Sequence, residues 1–88
     1  MKIKPEFSVR YDEDDICIVR VNPDGTEEFV STLSASAAMA WDGVEHGLTR
    51  EAIIDAVAGE FDGADRDTVE RDLDALLAQL LALGFAEE

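Results

Sequence analysis

The chain of 88 residues contains one cysteine, one histidine and two prolines, and it has no apolar run of membrane-spanning length. A single cysteine, Cys17, cannot form an internal disulfide, and one Cys with one His cannot supply the ligands of a zinc site. A transmembrane helix needs about 20 mostly apolar residues. The first six residues also lack the apolar stretch of a secretory signal. These absences predict one small cytoplasmic domain, residues 1–88, without a metal centre.

Basic residues are scarce. Seven lysines and arginines oppose 21 aspartates and glutamates, which gives a formal net charge of −14. Proteins that bind nucleic acids neutralise phosphates with Lys and Arg, and anionic membranes attract the same residues. The sequence therefore argues against nucleic acid and against a membrane surface as partners. Two explanations of the acidity stay open, namely attraction to a basic partner and general solubility, as in a high-salt habitat.

Groupings of residues that carry catalysis or bind cofactors are also missing. His46 is expected at the end of a helix, where a cation suits the helix dipole. Cys17 lies in an apolar run, where free cysteine acts as a small buried hydrophobe. The acidic run 12–15 lacks the Gly and the distal Glu of a calcium loop, and no Gly-rich phosphate loop occurs. We therefore predict a binding protein that is not an enzyme, with no catalytic residue, no metal and no cofactor.

The first third of the chain has the alternation and the turns of an antiparallel sheet. Strands are predicted at residues 7–11, 16–21 and about 26–33. A three-residue hairpin loop with Pro23 and Gly25 joins the last two. This loop sets a register with Arg20 opposite Glu28, Val19 opposite Phe29 and Ile18 opposite Val30. One face then carries Cys17, Val19, Phe29 and Leu33, and the other carries Ile16, Ile18 and Val30.

The remaining two thirds predict helices. Ser34 is expected to cap a first helix that reaches about Glu45, and Thr49 to cap a second one. Trp41, among small neighbours on the first helix, is predicted to anchor the core. Residues 62–65 form the loop to a third helix.

The third helix is predicted from Asp67 to about Phe85. Asp67 and Glu70 have the spacing of a capping box, and Gly84 can end the helix in a left-handed conformation, with Phe85 packing back on Leu80. Its apolar arc is wider than a surface helix usually needs. The arc consists of Val69, Leu73, Leu76, Leu80 and Leu83, with Leu77 and Leu81 beside them. We expect one edge of it to need a second packing partner or to receive a ligand.

Strands followed by three helices predict an α+β fold, a three-stranded antiparallel sheet packed on a three-helix unit, close to a winged helix-turn-helix. The third strand is expected at a sheet edge, where unpaired N–H and C=O groups can accept an added strand. An edge protected by loops or by dimerisation is an equal alternative. Beside the edge, either border of the last helix can contribute side chains. These are Leu73, Leu77 and Leu81, or Asp72, Leu76 and Leu80.

The order and spacing of several short motifs resemble those of the PqqD-like family of RiPP recognition elements. The motifs are Leu33-Ser34-Ala35-Ser36-Ala37, Trp41, Gly47-Leu48-Thr49, Ile53, and Val69-Glu70-Arg71-Asp72-Leu73 with Leu80 and Gly84-Phe85. Ser34 and Ser36 stand where the family commonly has Asn and Thr, and both keep a hydrogen-bonding side chain at the helix start.

The resemblance implies a single PqqD-like peptide-recognition domain, residues 1–88, with a winged helix-turn-helix fold. Such proteins bind the leader segment of a ribosomally synthesised precursor peptide and present it to a modifying enzyme, often a radical-SAM enzyme. The leader adds to the third strand and lies in a cleft against the third helix. Carried onto this chain, the peptide-binding residues are Glu27, Glu28, Phe29, Val30 and Ser31 on the edge, and Asp72, Leu73, Leu76 and Leu80 in the cleft. The edge is unusually acidic for the family, which indicates a leader that carries Lys or Arg.

Two other functions fit part of the sequence. A winged-helix DNA-binding transcriptional regulator has the predicted fold, but the net charge opposes it. An acyl-carrier-like protein shares the small size and the acidity. The sequence contains no Asp-Ser-Leu attachment site, however, and the predicted strands do not fit a carrier protein.

Overall fold

A computed structural model describes residues 1–61, 63 and 65–88. Within these residues the elements follow in the order β1 (Lys2–Ile3), β2 (Phe7–Tyr11), β3 (Ile16–Val21), β4 (Glu27–Thr32), α1 (Ala35–Glu45), α2 (Arg50–Glu60), α3 (Arg66–Ala82) and β5 (Ala86–Glu87). Strands β2, β3 and β4 form an antiparallel sheet in that order. The predicted architecture, a three-stranded antiparallel sheet with three helices in a winged-helix arrangement, is confirmed.

A β-bulge interrupts the hairpin of β3 and β4. Val19 lies opposite Phe29, as the hairpin loop predicts, but Ile18 lies opposite Ser31. The predicted pairing of Ile18 with Val30 is therefore wrong. One extra residue in β4 shifts the register beyond the bulge.

The bulge also moves Leu33 to the other face of the sheet. Its N–H donates to the carbonyl of Ile16 (2.8 Å), and its side chain packs against the core beside Ile18. We expected Leu33 on the face of Cys17 and Phe29, and that expectation is wrong. The period of two holds only within an unbroken ladder, so one inserted residue reverses the faces beyond it.

The first two helices begin at the predicted caps. The Oγ of Ser34 accepts the N–H of Ala37 (3.2 Å), and the Oγ1 of Thr49 accepts the N–H of Ala52 (3.1 Å). Each hydroxyl satisfies one of the backbone donors that the first turn of a helix leaves unpaired. The two caps therefore set where α1 leaves the sheet and where α2 turns back.

The start of α3 differs from the prediction. Asp65 occupies the cap position, and its carboxylate accepts the hydroxyl of Thr68 (3.4 Å) instead of a backbone N–H. Asp67, the predicted cap, lies in the first turn. The helix begins at Arg66, whose guanidinium donates to Asp55 of α2 (2.7 Å). This contact between two helices has no local sequence signal. Asp62 and Ala64 of the predicted loop lie outside the described residues.

The end of α3 is formed as predicted. Gly84 has a φ of 80°, its N–H donates to Leu81 (3.2 Å), and the N–H of Phe85 donates to Leu80 (2.9 Å). This pair of bonds is a Schellman motif, and the left-handed residue that it needs favours glycine. Phe85 then packs against Leu80 in the core. The motif turns the chain into β5.

The short strands β1 and β5, which the sequence pattern does not predict, form a second antiparallel sheet. Lys2 lies opposite Glu87 and Ile3 opposite Ala86. Two-residue strands carry too little alternation to be recognised, and their pairing joins segments more than 80 residues apart.

The core consists of two adjoining groups of side chains. Between the three helices lie Ala40, Val44, Ile53, Ile54, Val57, Val69 and Leu73. Between the helices and the sheet lie Ile18, Trp41, Leu80, Phe85 and Ala86. Trp41 is 1% exposed, which confirms its predicted anchoring role, and its Nε1–H donates to Glu45 (2.6 Å). Leu83 is 66% exposed, so the apolar face predicted for α3 ends at Leu80.

Candidate functional site

The outer side of β4 is an open sheet edge. Strand β4 pairs with β3 on one side, and all of its residues are exposed. The carbonyl of Thr26 accepts the N–H of Asn22 (2.8 Å). Because main-chain groups alternate along a strand, those of Glu27 point away from β3. No backbone hydrogen bond from another described segment reaches this side. The predicted edge strand is confirmed, and no loop of the described chain covers it.

Two large apolar side chains of β4 are exposed at this edge. Phe29 is 67% exposed and lies on the outer face of the sheet, opposite Val19, which is buried. Val30 is 38% exposed. A strand added to β4 would shelter both side chains as well as the main chain, so the edge offers apolar contacts together with hydrogen bonds.

A groove of ≈ 620 Å³ opens between the start of α1 and one side of α3. Small residues of α1, from Ser34 to Ala37 together with Ala40, form one wall. The other wall is a stripe of α3 that follows the helical period. It contains Asp65, Thr68, Asp72, Leu73, Leu76 and Gln79. Val57 and Phe61 complete the lining from the α2 side. The groove is thus apolar at its base, with polar groups along α3.

The groove begins where β4 ends. Thr32 is the last residue of β4, and Ser34, two residues later, both caps α1 and lines the groove. Leu33 between them points into the core. An extended segment that pairs with β4 and continues past Thr32 therefore reaches the groove within a few residues. The groove therefore starts two residues beyond the end of the open edge.

The structure assembles part of the predicted cleft. Asp72, Leu73 and Leu76 line the groove together, whereas Leu80 does not. Leu80 is 2% exposed and packs between Trp41 and the sheet, so it can support the groove only from behind. Of the two borders of α3 that the sequence left open, the structure places the one with Asp72 and Leu76 at the groove. Their role in binding stays a prediction.

The contribution of α1 to the groove is not among the sequence predictions. The pattern identifies Ser34 as a helix cap, but Ser34, Ala35, Ser36 and Ala37 all line the groove. A signal was available, because a run of small side chains leaves a helix surface low enough for another chain to approach.

Arg50 of α2 and Arg66 of α3 are engaged with carboxylates outside the groove. Arg50 donates to both carboxylate oxygens of Asp74 (2.9 Å each), and Arg66 bridges to Asp55 and Glu51. The Arg50 guanidinium also lowers the pKa of the Asp74 carboxyl. The charged side chains that line the groove are Asp65 and Asp72, both acidic. In the described chain, the groove is therefore an electronegative surface.

His46 and the acidic run 12–15, which we considered as candidate functional groups, lie outside the groove. His46 ends α1 with its Nδ1 2.8 Å from the carbonyl of Asp42, and this contact raises the pKa of the imidazole, helped by the carboxylate of the same residue. Residues 12–15 form an exposed turn in which the N–H of Asp12 donates to the carbonyl of Asp15 (2.8 Å).

Among the described residues, no cluster of His, Cys and carboxylates has the geometry of a metal site. The described helices include none that is long and apolar enough to cross a bilayer.

Comparison with known proteins gives two kinds of match. The sequence matches the PqqD family, described as coenzyme PQQ synthesis protein D, over residues 17–86. The structure is similar to "TbiB1 in Complex with the TbiA(beta) Leader Peptide", with 31% sequence identity, a TM-score of 0.74, and coverage of 99% of this chain and 95% of that chain.

A second solved structure, "Lasso peptide synthetase B1 complexed with the leader peptide", shares the fold. Its identity is 22%, its TM-score is 0.75, and the match covers 99% of this chain and 96% of that chain. No curated protein matches the sequence. The match over residues 17–86 spans most of the chain, so the resemblance inferred from the sequence motifs is confirmed and the protein belongs to the PqqD family.

Proposed function

We propose that this protein captures the leader segment of a ribosomally synthesised precursor peptide and presents it to a modifying enzyme, without catalysing a reaction itself. The observation that carries this proposal is an open β4 edge followed, two residues beyond its end, by the groove between α1 and α3. It is supported by a relative at 31% identity, TbiB1, whose structure is a complex with a leader peptide.

Strand addition explains how one surface can hold a flexible peptide. Main-chain hydrogen bonds to β4 supply affinity that depends little on sequence, and side-chain pockets supply selectivity. The residues that we assign to binding are Glu27, Glu28, Phe29, Val30 and Ser31 of the edge and Asp72, Leu73 and Leu76 of the groove. Glu27 contributes its main chain alone, because Arg10 holds its carboxylate. Leu80, the remaining predicted site residue, supports the groove from the core.

The modifying enzyme belongs to the same proposal. Family members often serve radical-SAM enzymes, and we take an enzyme of that class as the expected partner. A cytoplasmic location is also proposed, since precursor peptides are ribosomal products and the chain relies on no disulfide. The leader is expected to be basic, because the groove and the edge carry several carboxylates and the net charge is −14.

Calorimetry with the leader of the precursor encoded beside the gene tests the proposal. The wild-type protein should bind, and Leu76→Asp should weaken binding at least about tenfold, because a charge in the apolar groove is left without a partner. Leu83→Asp is the matched control. It places the same charge at the C-cap of α3, on a residue that is 66% exposed and outside the groove, so binding should persist. Absence of detectable heat and of NMR shift changes with any neighbouring precursor would refute the proposal.

No observation favours the DNA-binding alternative. Three of the seven basic residues, Arg10, Arg50 and Arg66, are held by carboxylates. A winged helix that binds DNA needs such side chains free to reach phosphates. A mobility-shift assay at low salt would detect that activity, and we expect no salt-sensitive retardation.

A further inference from the structure

The two adjacent glutamates of the edge strand have different environments. Glu27 is held by Arg10, which reaches across β3 from β2. The Arg10 Nε lies 3.2 and 3.1 Å from the two carboxylate oxygens of Glu27, and its Nη2 lies 2.5 Å from Oε2. Arg10 is fixed further by Ser8, whose Oγ accepts from Nη1 (2.7 Å). The charge of Glu27 is thus neutralised on the outer face of the sheet.

Glu28 lies on the opposite face of the same strand. It is paired in register with Arg20, which is paired with Phe7, and the Phe7 ring packs against the core. Because residues directly opposite one another in a sheet share a face, Glu28 lies on the helix side. Its carboxylate accepts only a neutral donor, the amide of Asn22 (3.2 Å). Within the described chain, Arg20 and Glu28 form no ion pair, although their predicted register is confirmed.

Asp72 presents a second unneutralised carboxylate on the same side. It lines the groove, it is exposed, and the described residues offer it no ion pair. Of the arginines of α2 and α3, Arg50 and Arg66 are engaged with Asp74, Asp55 and Glu51 outside the groove, and Arg71 does not line it. A cation brought by a bound segment would therefore meet no positive charge among the described residues that line the groove.

We infer that Glu28 and Asp72 select for positive charge on the bound peptide. The Glu27 carboxylate instead pairs with Arg10 within the sheet and does not contribute to selectivity. This inference rests on the proposed function. It specifies that function as recognition of a segment that places Lys or Arg on its helix-facing side. In an added strand, side chains that face the helices recur at every second residue. Basic residues at the intervening positions point to the opposite face and should contribute little to affinity.

The test is fluorescence anisotropy of the labelled leader peptide from the neighbouring precursor, at about 0.05 M and about 0.5 M salt, chosen to span strong and weak screening. Glu28→Gln and Asp72→Asn should each weaken binding about two- to fivefold at low salt, as expected for exposed ion pairs, and less at high salt. In the peptide, Lys→Gln or Arg→Gln replacements are made at positions whose side chains face the helices. With these peptides, the affinities of wild-type protein, Glu28→Gln and Asp72→Asn should become equal.

Two matched variants separate a specific contact from a general loss of negative charge. Asp67→Asn removes the same charge from α3 outside the groove and should leave the affinity within about twofold, since this carboxylate does not line the groove and forms no ion pair with a peptide bound there. The double variant Arg10→Gln with Glu27→Gln removes a pair of zero net charge, and its affinity should also stay within about twofold.

The outcomes distinguish this inference from the function on which it rests. If the leader binds but contains no Lys or Arg, or if Asp67→Asn weakens binding as much as Asp72→Asn does, the inference is overturned and peptide binding stands. Loss of affinity in the Arg10/Glu27 variant, with Glu28→Gln unchanged, overturns the assignment of the two glutamates. If the leader does not bind the wild-type protein, the proposed function and the inference both fail.

Discussion

At the scale of single residues, the closest approach of α1 and α2 depends on Gly43. An ideal Cβ at this position would lie 2.7 Å from the Cγ1 of Ile53, a buried side chain that has no room to move. Gly43 is in a helix and has ordinary helical geometry, so the absence of a side chain is required by packing and not by the backbone. A pattern of helical spacing cannot reveal such a requirement, because the partner lies on another helix.

Gly43→Ala should therefore destabilise the protein. Overpacking of a core typically costs about 1–3 kcal/mol, which exceeds the gain in helix propensity. Gly59→Ala is the control, since Gly59 is also helical and a Cβ there would meet no atom within 4 Å. It should raise the free energy of unfolding by up to about 1 kcal/mol. Urea unfolding measures both. A stabilised Gly43→Ala variant would show that the helices can separate without cost.

At the scale of elements, the helix starts show which local signals are strong enough to act alone. Ser34 follows a strand and Thr49 follows a turn, and each precedes a segment whose apolar residues have helical spacing. Both cap their helices as predicted. Asp65 and Asp67 are equally good cap residues by type. The choice between them falls to Arg66 and its contacts with α2, so a local rule could not decide it.

Ser34→Ala tests how far the local cap stabilises α1. Loss of the bond to the N–H of Ala37 should lower the free energy of unfolding by about 1 kcal/mol. Ser36→Ala, in the first turn of the same helix, should have a smaller effect. It removes the contact of the Ser36 hydroxyl with that of Ser34 (3.3 Å) but keeps the bond to Ala37, and alanine is the better helix former. Urea unfolding followed by circular dichroism gives both values. If the two substitutions changed the free energy of unfolding equally, the cap at Ser34 would not be what stabilises the start of α1.

At the scale of the whole molecule, the dominant feature is self-repulsion. The acidic residues outnumber the basic ones by 21 to 7, and ion pairs such as Arg50 with Asp74 join exposed side chains. Surface pairs contribute little each, typically about 0–1 kcal/mol, whereas the unpaired negative charge acts over the entire surface. Salt weakens both the attraction within ion pairs and the repulsion among carboxylates. Because negative charge is in excess, the loss of repulsion is the larger change in the free energy of unfolding.

We therefore expect the protein to become more stable as salt increases. The urea midpoint in potassium chloride should rise between about 0.01 M and about 0.5 M salt, a range in which the screening length falls steeply. Chloride is a suitable probe because, unlike sulfate, it is not a strong enhancer of apolar burial. A midpoint that falls with salt would mean that the arginine–carboxylate pairs outweigh the repulsion.

Much of the fold was predictable because its determinants are local. The bounds of β2 and β3 match the predicted ones, since alternation and β-branched residues describe them within five or six positions. The helix end at Gly84 follows from the need for a left-handed residue there, and the burial of Trp41 follows from its size. The family resemblance depends on the same short-range order of motifs.

What required the tertiary structure depends on residues that are distant in the chain. The bulge opposite Val19, the pairing of β1 with β5 and the start of α3 at Arg66 each arise between separate elements. The groove is the clearest case. One wall comes from residues near 35 and the other from residues near 72, and only their packing leaves Leu76 half-buried at the groove while it buries Leu80.

The sequence by itself thus determined strands β2 to β4, the three helices, their order, the edge strand and the acidity, because hydrophobic period, turn chemistry and charge act within a few residues. Only the tertiary structure decided which carboxylates are neutralised and which leucines reach the surface. Both properties depend on what lies opposite a side chain in space, and a spacing along the chain does not contain that information.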